Sequence, residues 1–239
     1  MKLLSTMFLV GFFCSLSRSQ AFSPSSLRTA TRVFPTFTTR STTAIKSAAE
    51  KEEVDPGKVE GTDLVVLKYP HPSLRAENAE ITEEEIKSGE IKQIAKEMFL
   101  VMYATQGVGL AAPQVGINKK LMVYNESGDK TKWLQESILI NPKIVEYSEA
   151  KDVENEGCLS FPDMRGDVER SKWIKVEALN VRGKKMKKKF KGWEARIFQH
   201  EYDHLDGIVY PDRLTEEGKA EVQARLDELA KEFGEGGAL

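Results

Sequence analysis

The sequence predicts an α+β fold, in which mostly antiparallel sheets pack around one central helix and a further helix lies towards each end. Three observations favour this class. Short apolar or alternating segments, which are typical of strands, are concentrated in the middle of the chain. Segments with helical spacing lie before and after them rather than between successive strands. No internal repeat is visible.

The composition is that of one domain with an uneven distribution of charge. With 239 residues, 40% of them hydrophobic, the chain is long enough for one sizeable core. Residues 1–49 contain six lysines and arginines and no acidic residue. Residues 50–239 therefore contain the other 29 basic residues and all 37 acidic ones. That part carries about −8, which argues against a general nucleic-acid binder and against DNA as a partner.

The first 49 residues have the composition of two targeting signals in series. Residues 3–17 are uncharged and contain the apolar run Met7–Cys14, which is typical of a secretory signal peptide and too short to span a bilayer. Residues 22–49 are rich in Ser, Thr and Arg and lack acids, as a transit peptide does. An ordinary single transit peptide is the alternative.

This leader divides the chain into three parts. We expect residues 1–49 to be removed, residues 50–61 to be a polar linker and residues 62–239 to form the folded domain, without a membrane span. The expected destination is a plastid, with the mitochondrion as the alternative.

The first predicted helix runs from about Glu90 to Thr105. Apolar residues recur there at helical spacing, and Gly107 is placed to end the helix. Before it, the short apolar run Leu64–Leu67 stops at the turn signal 70–72, where a histidine lies between two prolines.

Strands are predicted in the middle of the chain. The segments are Leu121–Tyr124, Ile138–Ile140, Ile144–Tyr147, the alternating Ile174–Ala178, and a partner bearing Met186, Lys188 and Phe190. Gly183 is placed to turn the last two segments into a hairpin.

Two further helices are predicted after the strands. The central one follows Gly192 and carries His200. The C-terminal one is marked by Val222, Leu226, Leu229, Ala230 and Phe233, with Gly234 just past its end.

The central helix contains a metal-binding pattern, H-E-x-x-H, at residues 200–204. At about 3.6 residues per turn, His200 and His204 lie on one helix face, so both imidazoles can reach one metal ion. Glu201 is close enough to act as a general base towards a water molecule at that ion without ligating it.

The third ligand decides the class of metal site. The longer pattern H-E-x-x-H-x-x-G-x-x-H is followed as far as Gly207 but then has Tyr210 in place of histidine. The remaining candidates are His71, the carboxylates of Asp212, Glu216 and Glu217, and the thiol of Cys158. Cys158 is favoured, because a thiolate beside two imidazoles makes an open tetrahedral site that suits hydrolysis.

Three segments together resemble the peptide deformylase family. Gly107–Gln114 matches that family's G-x-G-L-A-A-x-Q, Glu156–Ser160 matches E-G-C-L-S, and Gln199–His204 matches Q-H-E-x-D-H. They occur in the family's order, and the likeness extends over residues 64–214. The run Ala195–Phe198 is similar to the bacterial and plastid class of the family.

The resemblance implies a metal-dependent hydrolase that removes the formyl group from the N-terminal methionine of newly made polypeptides and releases formate. It implies one divalent ion held by Cys158, His200 and His204, with iron(II) favoured and zinc as the alternative, and Glu201 as the acid/base. Residues 62–239 would then be the catalytic domain. An H-E-x-x-H zinc endopeptidase is the alternative function.

The resemblance also implies the groups that meet the substrate. The side-chain amide of Gln114 and the backbone N–H of Leu159 would face the formyl oxygen. Val108 and Gly109 would border the substrate, with Val108 forming part of the wall of the methionine pocket.

A lysine-rich segment, residues 184–191, is not explained by this chemistry. Six lysines in eight residues are typical of a surface that binds RNA or contacts the ribosome transiently. The alternative, a solvated face of a hairpin, is the favoured interpretation.

Overall fold

The structure is a computed structural model that describes residues 59–234; the predicted leader and most of the predicted linker lie outside the described residues. The helices are α1 (Glu83–Ser88), α2 (Glu90–Ala104), α3 (Gly192–Leu205) and α4 (Glu216–Phe233). The strands are β1 (Gly109–Ala111), β2 (Leu121–Tyr124), β3 (Ser137–Tyr147), β4 (Lys151–Cys158), β5 (Phe161–Ser171), β6 (Trp173–Leu179) and β7 (Lys185–Lys191).

The strands form two antiparallel sheets. The larger sheet has the order β1-β2-β3-β6-β7, and the smaller one is the hairpin β4-β5. Helices before and after the strands complete an α+β architecture in which α3 lies against both sheets. The predicted fold class, with its central and terminal helices, is confirmed.

The larger sheet lies between two helices, and β2 shows why its sequence is apolar throughout. Leu121 and Val123 pack in a core cluster with α2, whereas Met122 and Tyr124 pack in a second cluster with α3. All four side chains are therefore buried, as expected for a strand that is covered on both faces.

Helix α2 begins where its local signals place it. Gly89 has φ of 85° and ends α1, so the chain can turn directly into α2 at Glu90. The predicted helix Glu90–Thr105 is confirmed to within one residue. The shorter helix α1 was not predicted, although the side chains of Thr82 and Glu85 form a capping box at its start.

Two predicted strands are one strand in the structure. Ile138–Ile140 and Ile144–Tyr147 both belong to β3, whose pairing with β6 shifts register between Ile140 and Lys143. Asn141 lies at this irregularity with φ of 48°. The bulge breaks the alternation of apolar residues, and this break is the reason that the sequence indicated two segments.

Helix α3 is buried on more than its apolar side. Ala195, Phe198 and Leu205 pack in the core, but Arg196 and His204 are buried as well. Buried polar groups need partners, so the surroundings of this helix determine its role. Within residues 59–234 we find no helix with the length and hydropathy needed to cross a lipid bilayer.

Candidate metal centre

Helix α3 and the end of β4 bring three potential metal ligands together. His200 and His204 are one turn apart on α3, with ring centroids separated by 5.3 Å. Cys158 is the last residue of β4, and its Sγ lies 3.3 Å from His204 Nε2. One ligand atom from each of the three side chains lies within 4.8 Å of the other two.

The chemistry of these three groups fits a divalent metal ion. Burial, together with the charges of His200 and Arg170, lowers the pKa of His204, so its imidazole stays in the neutral form that ligates metals. Burial also favours neutral His200, but contacts with Cys158 and Glu156 outweigh this effect and raise its pKa to about 10. Cys158 and Glu156 therefore favour positive charge beside His200, and a metal cation supplies such charge.

A buried carboxylate orients the first histidine. Glu156 Oε2 lies 2.9 Å from His200 Nδ1, which leaves Nε2 of that ring for a metal ion. Burial opposes ionisation of Glu156, but hydrogen bonds from His200 and Arg170 hold its pKa far below the usual value. Glu156 therefore stays charged and accepts the Nδ1–H of the ring.

Two arginines compensate the buried carboxylates around α3. Arg170 donates from Nε and Nη2 to both oxygens of Glu156, at 2.6 and 2.8 Å, and from Nη1 to Asp203 at 2.9 Å. Arg196 donates from Nη1 to Glu156 Oε1 at 2.6 Å. Only 4% of each arginine side chain is exposed, so these ion pairs are almost completely buried.

Sequence reasoning missed this charged network. Glu156 and Asp203 were recognised only as parts of motifs, and Arg196 only as part of a class-specific run. A signal was nevertheless present: Arg196 and Asp203 lie within the buried helix that the sequence predicts. Because an unpaired buried charge is costly, each of them required a partner of opposite charge.

Glu201 lies beside the cluster in a tightly packed place. A Cβ atom on Gly109 would lie 2.5 Å from Glu201 Oε1, so only glycine at that position leaves the carboxylate room. Glu201 Oε2 is buried and has no hydrogen-bond partner within residues 59–234. Burial, opposed by His200 and Arg170, raises the pKa of Glu201 to about 7.

A cavity of about 970 Å³ opens onto these groups. Seven of the eight predicted site residues line it: Val108, Gly109, Gln114, Cys158, Leu159, His200 and Glu201. The eighth, His204, is 1% exposed and contacts the sulfur of Cys158. The structure thus brings the whole predicted set to one place.

Gln114 is held by its own turn, a short 3₁₀ segment at Ala112–Val115. Its Oε1 accepts a hydrogen bond from the Ala111 N–H at 2.8 Å, which fixes the side chain. Its Nε2 lies 3.5 Å from Cys158 Sγ and 3.3 Å from Ser160 Oγ. The amide N–H₂ group is therefore directed to the metal-binding side of the cavity.

The rejected ligand candidates have other roles. His71 Nδ1 accepts the Ser73 N–H, and its ring contacts Phe233 edge-on. Asp212 forms an ion pair with Arg75. Neither His71 nor Asp212 belongs to a ligand cluster within residues 59–234.

Comparison with known proteins supports one family throughout the described domain. A family model described as polypeptide deformylase matches residues 64–220. A chloroplastic/mitochondrial peptide deformylase 1B from Arabidopsis thaliana is 41% identical over 174 residues, which are 73% of this chain and 62% of that protein. A chloroplastic counterpart from Oryza sativa subsp. japonica is 43% identical over 176 residues, or 74% of this chain and 64% of that protein.

Solved structures agree with these sequence matches. A peptide deformylase from Plasmodium falciparum has a TM-score of 0.67 at 41% identity, covering 70% of this chain and 96% of the other. A plant peptide deformylase of type 1B has a TM-score of 0.68 at 40% identity, covering 72% and 91%.

The chain spans about three fifths of the length of the plant relatives that it matches. Their names, chloroplastic or chloroplastic/mitochondrial, confirm the predicted plastid localisation. The family model matches about two thirds of the chain and includes every residue of the candidate site. The chain therefore belongs to the polypeptide deformylase family.

Proposed function

We propose that this protein removes the formyl group from the N-terminal methionine of newly made polypeptides in a metal-dependent reaction that releases formate. The observation that carries the proposal is the Cys158, His200 and His204 cluster beside Glu201 in one cavity. Membership of the polypeptide deformylase family supports the same reaction.

In this proposal Cys158, His200 and His204 hold one divalent ion. When bound, the ion supplies Lewis acidity, which acidifies water and polarises a carbonyl oxygen. Glu156 keeps the His200 ring in one orientation through its contact with Nδ1.

Glu201 holds and moves the proton. Its side chain lines the cavity, and its Oε2 has no hydrogen-bond partner within residues 59–234, so this oxygen is not committed to another group in this part of the chain. The carboxylate takes a proton from the attacking water and delivers it to the departing amine as the C–N bond breaks. The amine product is the free N-terminus of methionine.

Gln114 and Leu159 stabilise charge on the formyl oxygen. The Gln114 amide nitrogen points to the sulfur of Cys158, and its side-chain oxygen is already held by the Ala111 N–H. Leu159 follows Cys158 directly, so its N–H lies at the same end of the cavity. A donor already in place at a developing oxyanion contributes about 10²–10³ in rate.

Val108 and Gly109 border the substrate in this proposal. Both line the cavity, and Val108 is half-buried against the core cluster around α3. A half-buried aliphatic side chain at the rim suits the apolar side chain of methionine.

The family result and the cysteine ligand argue against the zinc endopeptidase alternative. Such an enzyme would take a histidine or a downstream carboxylate as its third ligand. Tyr210 stands at the histidine position, and within residues 59–234 the ligand cluster includes none of Asp212, Glu216 and Glu217.

Iron(II) is the proposed working metal, with zinc as the alternative. One thiolate and two imidazoles suit both ions, and raw affinity favours zinc. Iron(II) and the thiolate of Cys158 are both open to oxidation, so we expect an iron enzyme to lose activity in air. Anaerobic reconstitution with each ion, followed by turnover assays, tests this; zinc turnover equal to or above iron turnover contradicts it.

Residues 1–49 are the proposed plastid leader, which is removed from residues 50–239. A reporter fused to residues 1–49 should enter a plastid, and deletion of residues 2–17 should leave it in the cytosol. Entry into the secretory pathway alone would contradict the second signal. Formylated nascent polypeptides are the proposed partners, met close to the ribosome.

The reaction itself is tested by formate release from a formyl-Met tripeptide. We expect release by the metal-loaded protein, loss of release with a chelator, and recovery when the ion is added back. The unformylated tripeptide and an internal peptide bond are the controls. Cleavage of the internal bond, without formate release, would overturn the proposed function.

A further inference from the structure

The hairpin made by β6 and β7 carries a charge opposite to that of the rest of the domain. Residues 172–191 contain eight lysines, one arginine and one glutamate, for a net charge of about +8. The other residues from 50 to 239 contain 20 basic and 36 acidic side chains, for about −16. The protein therefore has a strong positive pole at this hairpin despite its negative total.

Strand alternation places the hairpin lysines in a row. β7 is an edge strand of the larger sheet, and its Phe190 is buried in the core cluster with α3. The opposite face presents Lys185, Lys187, Lys189 and Lys191, all exposed. Alternate residues of an antiparallel strand lie about 7 Å apart, so the four side chains form an evenly spaced row about 20 Å long.

The acidic side chains nearby do not neutralise this row. Lys187 pairs with Glu177, at 2.6 Å. Lys185, Lys189 and Lys191 form no ion pair with any of residues 59–234. Lys189 Nζ lies 3.4 Å from the centre of the Trp173 ring, a contact that orients the amine without cancelling its charge.

One end of the row lies close in sequence to the cavity. Lys191 is the last residue of β7 and immediately precedes α3. Two residues later, Trp193 lines the cavity, and its indole N–H donates to the Glu126 carbonyl at 3.2 Å. A polyanion on β7 would thus be held beside the rim of the candidate active site.

We propose that the outer face of the β6–β7 hairpin binds the phosphate backbone of RNA. An even row of four amines on an edge strand, three of them without an ion pair within residues 59–234, fits a polymer with regularly repeated negative charges. An RNA-rich ribosome is where formylated nascent chains are found, so the biological use of this surface rests on the proposed function. The binding itself does not depend on that function.

The salt dependence of RNA affinity measures how many lysines contact a phosphate. If four lysines each meet one phosphate of a single strand, the slope of log K against log salt concentration is about −0.7 × 4, or −2.8. Between 50 and 200 mM salt, affinity should then fall about fifty-fold. A face that contacts no phosphate gives a slope near zero.

The test measures binding of a fluorescent single-stranded RNA 20-mer to the metal-loaded protein over that salt range. The variant Lys185→Gln, Lys189→Gln, Lys191→Gln should flatten the slope by about 2. A control variant, Lys92→Gln, Lys96→Gln, Lys130→Gln, removes the same charge from exposed positions outside the hairpin and should leave the slope unchanged. Formate release from the tripeptide should be equal in both variants, which shows that their active sites are intact.

Three outcomes would overturn the inference. They are equal losses of affinity in both variants, a wild-type slope near zero, and hairpin-dependent binding to anionic lipid vesicles without binding to RNA. Absence of formate release in every protein, with the RNA result as expected, would instead refute the proposed function and leave the RNA surface standing.

Discussion

The metal centre and the β6–β7 hairpin are both rich in charged residues, but they use charge in opposite ways. At the centre, Arg170 is 4% exposed and bonds to two buried carboxylates. On the hairpin side of the sheet, Lys175 and Glu146 also form a pair at 2.6 Å, yet each remains about half exposed. Solvent access, rather than the number of charges, determines how much each ion pair contributes to the stability of the fold.

Because of this difference, the buried charges position other side chains, whereas the exposed charges can attract a binding partner. Buried charges that satisfy one another fix the orientation of His200 and the position of α3, at the cost of any freedom to bind something else. Exposed lysines stabilise the fold little but keep their charge available to a partner. Substitutions in the two regions should therefore differ in which property they change.

The largest effect is expected at the metal cluster itself. Cys158→Ala should lose bound metal and activity together, because two imidazoles alone hold an ion weakly. Elemental analysis and formate release on the same purified sample measure both. Full metal content with activity lost would show that the thiolate is not a ligand.

Glu201→Gln should separate chemistry from metal binding. Glu201 Oε2 has no hydrogen-bond partner within residues 59–234, so the amide should leave the cluster intact. We expect metal content to stay normal while the rate falls by about 10²–10⁴, the usual size of a general acid/base contribution. Near-normal turnover at full metal content would remove Glu201 from the mechanism.

The buried network should affect stability more than any exposed pair. Arg170→Met leaves Glu156 and Asp203 partly uncompensated, and removing one partner from a buried ion pair costs about 3–5 kcal/mol. Urea unfolding of the metal-loaded proteins measures the change. Arg213→Met is the control, because that side chain also pairs with Asp203 but is 43% exposed.

The control should lose less than about 1 kcal/mol, because solvent screens the half-exposed guanidinium of Arg213 and Arg170 still pairs with Asp203. Should Arg170→Met fail to fold, Arg170→Lys keeps the charge but not the two parallel bonds to Glu156, and an intermediate loss is expected. Equal losses at Arg170 and Arg213 would contradict the dependence of an ion pair's contribution on burial.

The same distinction explains what the sequence could predict. The spacing of His200 and His204 is local to one helix, so their convergence followed from helical geometry alone. The partners of Glu156 could not be read in this way, because Arg170 and His200 lie 14 and 44 residues further along the chain. Such pairings depend on how α3 packs against the hairpin β4-β5.

The strands β4 and β5 were not predicted at all, for a related reason. Most side chains of Lys151–Cys158 are exposed or half-exposed, so the segment lacks the apolar alternation that marks a strand. The pairing of β4 with β5 is nevertheless needed to form the metal centre, because β4 ends at Cys158 and carries Glu156. The resemblance of the three motifs led to the site residues without these strands, but not to the network that holds them.

The smallest effect is expected for the exposed pair of Lys175 and Glu146. Lys175 on β6 and Glu146 on β3 are cross-strand neighbours, and their side chains are 47% and 48% exposed. Water screens their attraction and both side chains lose conformational freedom when they pair, so Lys175→Gln should destabilise the protein by only about 0.2–1 kcal/mol. This loss should shrink further in 1 M salt, where the screening length is about 3 Å. Urea unfolding at low and high salt, run beside Arg170→Met, measures both quantities. A loss for Lys175→Gln above about 2 kcal/mol that persists in salt would mean that this surface stabilises the fold. The outer face of the β6–β7 hairpin would then have fewer charges available to bind RNA.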